Sequence, residues 1–380
     1  MMYGGKKLND IAIIKTGKLD SNAAVENGAY PFFTCDPTTL RIDKWAYDTE
    51  AVLLAGNNAS GNYTAKYYKG RFNAYQRTYI IEAANDENLS VRFLCYAINQ
   101  QLRLLKIMSA GSTTKFLTIK MLHNLDIPCP SIEIQNRIVN ILGTIDDLIE
   151  NNQKQIKLLE EATQRLYKKW FTDLHFPGYE NVKIVDGVPE GWKVVKMFEV
   201  ATVNKQSIPK QYPYNYVDYI DLGSVSQGRI EATTRFEIQK APGRAKRIAS
   251  DGDIIWGMVR PNLKSYALVF HPTETNVFST GFAVLSAEKV PFSFLYCHVI
   301  QQGFVDYLVK CTNGAAYPAV KPVHFKEAEI LLPTNDILSQ FHLNAEPMYR
   351  KIESLGNQIY QLKEARDRLL PKLMSGEIEV

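Results

Sequence analysis

The sequence predicts an α+β chain, mixed α/β in its globular parts, with a pseudo-twofold repeat: two globular domains separated by two long antiparallel coiled-coil helices. Three observations predict it. The chain repeats itself at a lag of 203 residues. Two stretches at that lag carry apolar seams with alternating spacings of four and three. Between them, short strand-like runs alternate with turn-rich segments.

The repeat is seen in Ile127-Pro128-Cys129-Pro130 against Ile330-Leu331-Leu332-Pro333, in Glu161-Ala162 against Glu364-Ala365, in Arg165-Leu166 against Arg368-Leu369, and in Lys169 against Lys372. Upstream, Gly111 meets Gly314. Near the start the lag shrinks to 189, where Lys7-Leu8-Asn9-Asp10-Ile11-Ala12 resembles Lys196-Met197-Phe198-Glu199-Val200-Ala201. Each half is therefore a variable globular segment followed by a similar tail.

The first tail, from Gln135 to Phe171, has no Pro and only Gly143 as glycine. Its seam is Ile138, Leu142, Ile145, Ile149, Asn152, Ile156, Leu159, Thr163, Leu166 and Trp170. Ser131 is a plausible N-cap after Pro130. The second seam is Phe341, Ala345, Met348, Ile352, Leu355, Ile359, Leu362, Arg366, Leu369 and Leu373. Helices of about 40 residues would be about 60 Å long. No compact domain of this size needs two of them, so they are expected to pair through Ile145, Ile149, Ile156, Leu159 and Leu166 on one side and Ile352, Leu355, Ile359, Leu362 and Leu369 on the other. Asn152, Thr163 and Arg366 interrupt the seam and are placed to set register. Pro347 predicts a kink or short break near Ala345–Pro347.

In the globular segments, strands are expected at Ala51–Ala55, Arg77–Ile81, Asp253–Trp256 and Gly281–Leu285, and single helices at Val91–Lys106 and Phe292–Leu308. The domain plan is a globular domain over 1–130, a central helical region over 131–172, a linker over 173–190, a second globular domain over 191–333 and a C-terminal helical region over 334–380.

Composition excludes little. The 380 residues are 46% hydrophobic and 22% charged, which suits two folded domains. A net charge of +4 allows a polyanionic partner without requiring one. The five cysteines, Cys35, Cys95, Cys129, Cys297 and Cys311, form no CxxC pair and read as reduced thiols in a cytoplasm. No stretch has the length of a membrane span, and Met1 to Ile14 lacks the apolar run of a signal peptide.

Basic and polar side chains gather in the turns. The first segment offers Lys66, Lys69, Arg71, Arg77 and the loop Gly111-Ser112-Thr113-Thr114-Lys115. The second offers Arg244, Lys246, Arg247, Arg260, Asn262, Lys264, the loop Asn313-Gly314-Ala315-Ala316-Tyr317, and Lys321. Arg and Asn can read guanine and adenine edges with two hydrogen bonds, while Lys mainly neutralises phosphate. Singly, each is an ordinary surface group; two glycine loops at matching positions of divergent segments are the sharper signal. Gly56-Asn57-Asn58-Ala59-Ser60-Gly61-Asn62 has the glycine spacing of a phosphate loop but not its Lys and Ser/Thr, and reads as a turn. There is no GxGxxG, HExxH or GxSxG, and no Asn/Asp-Pro-Pro-aromatic tetrad of an adenine methyltransferase. The histidines show no metal-ligand spacing, and Cys297-His298 reads as packing rather than as a nucleophile and its base.

Arg165-Leu166-Tyr167-Lys168-Lys169-Trp170-Phe171, then Asp173, Phe176-Pro177-Gly178 and Val188-Pro189-Glu190-Gly191-Trp192, resembles the central junction of type I restriction–modification specificity subunits. Arg368-Leu369-Leu370-Pro371-Lys372-Leu373-Met374-Ser375-Gly376-Glu377-Ile378 is similar to their C-terminal signature. The resemblance implies that the globular segments are target-recognition domains, each reading one half of a split site on double-stranded DNA. It implies that the helices set the spacer and dock two methyltransferase subunits, with restriction/translocase subunits joining the complex. It implies no catalytic residue, metal or cofactor in this chain, with S-adenosylmethionine held by the methyltransferase and ATP and magnesium by the nuclease subunit. Two other readings stay open: a helical protein-interaction scaffold without DNA specificity, and a stand-alone methyltransferase, which the missing motifs disfavour.

Overall fold

A computed structural model describes residues 3–58, 63–108, 115–185, 187–312 and 318–380. It divides into two compact units. The first is Met1–Asn152 with Gln358–Val380, and the second is Gln153–Asn357. The division cuts through both long helices, so each helix gives one half to each core rather than standing as a separate region.

In the first unit a six-stranded sheet has the spatial order Ala12–Thr16, Thr78–Ala83, Tyr47–Ala55, Ala65–Ala74, Tyr30–Phe33, Leu40–Ile42. All neighbours are antiparallel except Tyr30–Phe33 beside Ala65–Ala74. The continuous apolar run Ala51–Ala55 is explained by burial of both sheet faces, because successive side chains point opposite ways. Val52 and Leu54 join Phe93, Leu94, Ala97 and Ile98 of the helix Val91–Met108. Ala51 and Leu53 pack on the other face with Phe33, Phe72 and Ile80.

The second unit repeats the first four sheet positions as Ala201–Val203, Phe282–Ala287, Ile254–Gly257, Tyr266–Leu268. Its further strands form a separate five-stranded sheet, in the order Gln206–Ser207, Ala245–Ile248, Asn276–Ser279, Tyr216–Ile220, Thr234–Glu237. Ile220 and Phe278 of this sheet share a core with Ile255, Phe282 and Val284 of the four-stranded one. The single helix expected over Phe292–Leu308 is two, Phe292–Val299 and Gln302–Lys310. The buried Trp256 indole donates to the Val299 carbonyl at 3.1 Å, an acceptor that a continuous helix would need for itself. Gln301 turns extended there, and its side-chain Nε2 donates to the Cys297 carbonyl at 2.9 Å.

The two lags meet in one recurring device. Lys7 pairs with Asp126 in the short ladder Gly5–Lys7/Asp126–Pro128, with an ion pair of 2.8 Å. Lys196 pairs with Glu329 in the ladder Lys193–Lys196/Glu329–Leu332, with an ion pair of 3.0 Å. The next residue is fully buried in both units, as Leu8 and as Met197. Its amide donates to the carbonyl of Leu125 at 2.9 Å in one unit and of Ala328 at 2.8 Å in the other.

The long helices are Ile132–Tyr167, which continues as a π-turn through Lys168–Thr172, and Asn335–Ser375. The break expected near Ala345–Pro347 is absent: the second helix runs unbroken through Pro347. Pro347 is exposed and Leu343, whose carbonyl it orphans, is 75% exposed, so water can take the place of the missing amide. The helices are antiparallel within each unit. In the first, Asp146 meets Arg366 at 3.1 Å and Asn152 meets Gln358 at 3.2 Å. In the second, Trp170 and Phe171 meet Phe341 edge-on at 5.9 and 5.0 Å, so contacts fall on one helix as they rise on the other.

Candidate nucleic-acid interface

In each unit, several of the sequence-selected polar residues come together at one rim of the sheet. In the first, the strand ending at Ala55 runs into Gly56, whose amide donates to the Arg77 carbonyl and whose carbonyl accepts from Leu117, both at 2.8 Å. Asn57 and Asn58 then pair with Phe116 and Lys115. A Cβ at Gly56 would lie 2.4 Å from the Arg77 oxygen, so this close approach requires glycine. Arg77, Asn58 and Lys115 thus share the rim. Ser112, Thr113 and Thr114 lie outside the described residues.

The second unit builds the same rim from different side chains. Met258 donates to Gly281 at 2.8 Å and accepts from Val320 at 2.9 Å, while Arg260 donates to Pro318 at 2.8 Å. The amide of Thr280, beside Gly281, donates to the Arg244 carbonyl at 2.8 Å. Arg244, Arg260, Asn262, Lys264 and Lys321 are thereby gathered, with Tyr317 outside the described residues. Arg260 and Lys264 have φ of 49° and 56° and bracket the turn Pro261–Leu263, which holds Asn262 exposed and Leu263 at 61% exposure. Left-handed backbone at two non-glycine residues is strained, and such strain collects where side chains must be presented.

Other selected residues stand apart from these rims. Lys69 is paired with Glu50 at 2.8 Å, and Arg71 with Asp48 at 3.0 Å and against the Trp45 ring. Lys66 donates to the Thr39 hydroxyl at 3.0 Å, and burial lowers its ammonium pKa. Lys246 is exposed on the strand Ala245–Ile248, and its neighbour Arg247 leans to Ser207 at 3.4 Å. Sequence reasoning passed over Asn57 and Asn58 as part of a turn. The equivalent backbone bonds set Asn58 on Arg260, a match that the sequence lag of 203 misses by one residue.

The seam residues Ile149, Ile156, Leu355 and Ile359 are buried, and Ile145, Leu159, Leu166, Ile352, Leu362 and Leu369 half-buried. The polar interruptions all have partners. Asn152 bonds Gln358, Arg366 bonds Asp146, and the Thr163 hydroxyl donates to the Glu160 carbonyl at 2.9 Å. The two signature stretches are core modules. Trp170, Phe171, Phe176 and Trp192 pack with Phe294 and Phe341 in the second unit, with Phe171–Phe294 ring centres 4.8 Å apart. Leu373 and Met374 close the core of the first.

Cys297 and His298 are both buried. Burial pushes the Cys297 thiol up to about 12, and its sulfur lies 2.9 Å from the Tyr349 hydroxyl. Burial pushes His298 down to about 4, with Nδ1 3.2 Å from the Tyr167 hydroxyl. A thiol that resists ionisation and a base that resists protonation make no catalytic pair. Among the described residues no His/Cys/Asp/Glu cluster is arranged to hold a metal, and no helix is long and apolar enough to cross a membrane.

Residues 3–161 match the family model described as the type I restriction modification DNA specificity domain. The chain is 24% identical over 408 residues to the type I restriction enzyme EcoDI specificity subunit of Escherichia coli, covering 98% of this chain and 88% of that one. It is 28% identical over 287 residues to the MjaIX specificity subunit of Methanocaldococcus jannaschii, covering 73% and 66%. Its fold is similar to that of a type I S subunit from M. genitalium, with a TM-score of 0.67 at 16% identity over 98% of this chain and 96% of that one. The chain is thus similar in sequence to type I restriction enzyme specificity subunits and in fold to an S subunit.

Proposed function

We propose that this chain is the DNA sequence-specificity subunit of a type I restriction–modification enzyme, working in the cytoplasm without chemistry of its own. Each recognition domain reads one half of a bipartite site, chiefly through its rim. The paired helices set the spacer and dock two modification subunits, which bring S-adenosylmethionine, while ATP and magnesium belong to the restriction subunits. The observation that carries this is the pair of equivalent rims: the same backbone bonds recur in both units, but one rim carries Arg77, Asn58 and Lys115 and the other carries Arg260, Asn262 and Lys321. A shared frame with different polar side chains suits two half-sites of different sequence.

Selection from random duplexes, with the modification subunits present, tests it. A split motif is expected, with affinity falling steeply as salt rises. Arg77→Ala should relax one half of that motif and Arg260→Ala the other, each by about 1–3 kcal/mol of discrimination. A contiguous motif, or none, would leave a protein-interaction scaffold as the better account.

A further inference from the structure

The first recognition domain is fastened to the helices by one polar network whose parts come from three helices. Arg92 and Tyr96 lie one turn apart on Val91–Met108. Arg92 Nη2 donates to the Gly143 carbonyl at 3.2 Å and to Asp147 at 2.6 Å. Tyr96 donates to Asp146 at 2.5 Å, and the other Asp146 oxygen accepts from Arg366 of the C-terminal helix at 3.1 Å. A Cβ at Gly143 would lie 2.9 Å from Arg92 Cζ. The glycine, costly inside a helix, thus lets the guanidinium lie against the backbone. The planar fork, the phenol and the bare helix surface together specify an angle and not only a contact.

The lag of 203 places Asp147 on Arg350, and the second unit uses that position with the charges exchanged. There the helix supplies Arg350, bonded to Asp251 of the domain at 2.9 Å and lying over the Phe270 ring. Each domain therefore carries the complement of its own helix position only.

We infer that Arg92, seated on Gly143 and Asp147 and backed by Tyr96–Asp146–Arg366, is a positioning device that sets the angle of the first recognition domain on the helices, and so selects which spacer length between half-sites is accepted. This rests on the bipartite reading of the preceding section. The test uses the chain with its modification subunits on duplexes that keep both half-sites and vary the spacer by single base pairs. Wild type should accept one spacer. Arg92→Asp and Asp147→Arg, each alone, should weaken discrimination against neighbouring spacers about tenfold, equivalent to about 1.4 kcal/mol, without changing the half-site bases. The double reversal should restore it. If either reversal fails to fold, Arg92→Lys and Tyr96→Phe, which keep charge and volume, should show the same broadening to a smaller degree. Single variants that lose affinity equally for every spacer, or keep the wild-type spacer while Tm falls, overturn the inference, as does a double reversal as permissive as the singles. A wild-type complex that selects no split site overturns the bipartite reading instead.

Discussion

The two units hold the same helix pair with a different balance of charge and aromatic burial added to an apolar core. The first uses charge: Arg92–Asp147, Tyr96–Asp146 and Arg366–Asp146 link domain and helices through half-exposed polar groups. The second keeps one such ion pair, Arg350–Asp251, and relies chiefly on aromatic burial, with Tyr167, Phe171, Phe294 and Phe341 in mutual ring contact and Gln164–Gln301 and Tyr167–His298 as neutral bonds. Buried rings contribute mainly through area removed from water and are insensitive to salt. Half-exposed ion pairs contribute less and are screened. A pseudo-symmetric frame can thus keep its helices and ladders while its two attachments diverge.

Four tests would break or sharpen that contrast. The largest effect belongs to the aromatic side: Phe171→Ala should cost roughly 3–5 kcal/mol in denaturant unfolding, more than Met374→Ala at the equivalent place in the first unit. If the two cost the same, the units are not attached differently. The second concerns pH. His298 falls from 6.5 to about 4 in the folded chain. Above pH 6.5 both states are neutral and the stability is complete. As pH falls from 6.5 through 4 the unfolded chain binds the proton first, and roughly 3 kcal/mol is lost. His298→Asn should flatten Tm against pH across that window. Next, Arg366→Met should cost about 1 kcal/mol at low salt and less at high salt. Unfolding titrations at two ionic strengths would show whether the attachment of the first unit is electrostatic. Smallest, Gly143→Ala should be stabilising by roughly 1 kcal/mol in an Arg92→Ala background and lose that gain when Arg92 is present.

Much of the architecture was legible because it rests on periodicity. The seams of Ile138–Trp170 and Phe341–Leu373 follow from apolar spacing, and Ala51–Ala55 from a run that only a two-sided core accommodates. What failed depended on single hydrogen bonds. Nothing in Phe292–Leu308 announces that the Trp256 indole takes the Val299 carbonyl, whereas the seam already set Pro347 off the apolar face and only its intrinsic helix-breaking tendency argued for an interruption. Among the selected basic residues, Arg71 and Lys69 read the same as Arg77. Only cross-strand neighbours separate those held by Asp48 and Glu50 from the one at the rim.

By itself the sequence determined the repeat, the helices, their pairing face and the family resemblance, because apolar period and signature residues are local and redundant. Tertiary structure alone decided that each helix is shared between two cores, that Gly56 joins Arg77 to Leu117, and that Asp147 and Arg350 fasten their domains with opposite charges. The reason is that a hydrogen bond or ion pair between distant residues leaves no period in the chain. It exists only once the backbone has brought its two ends together.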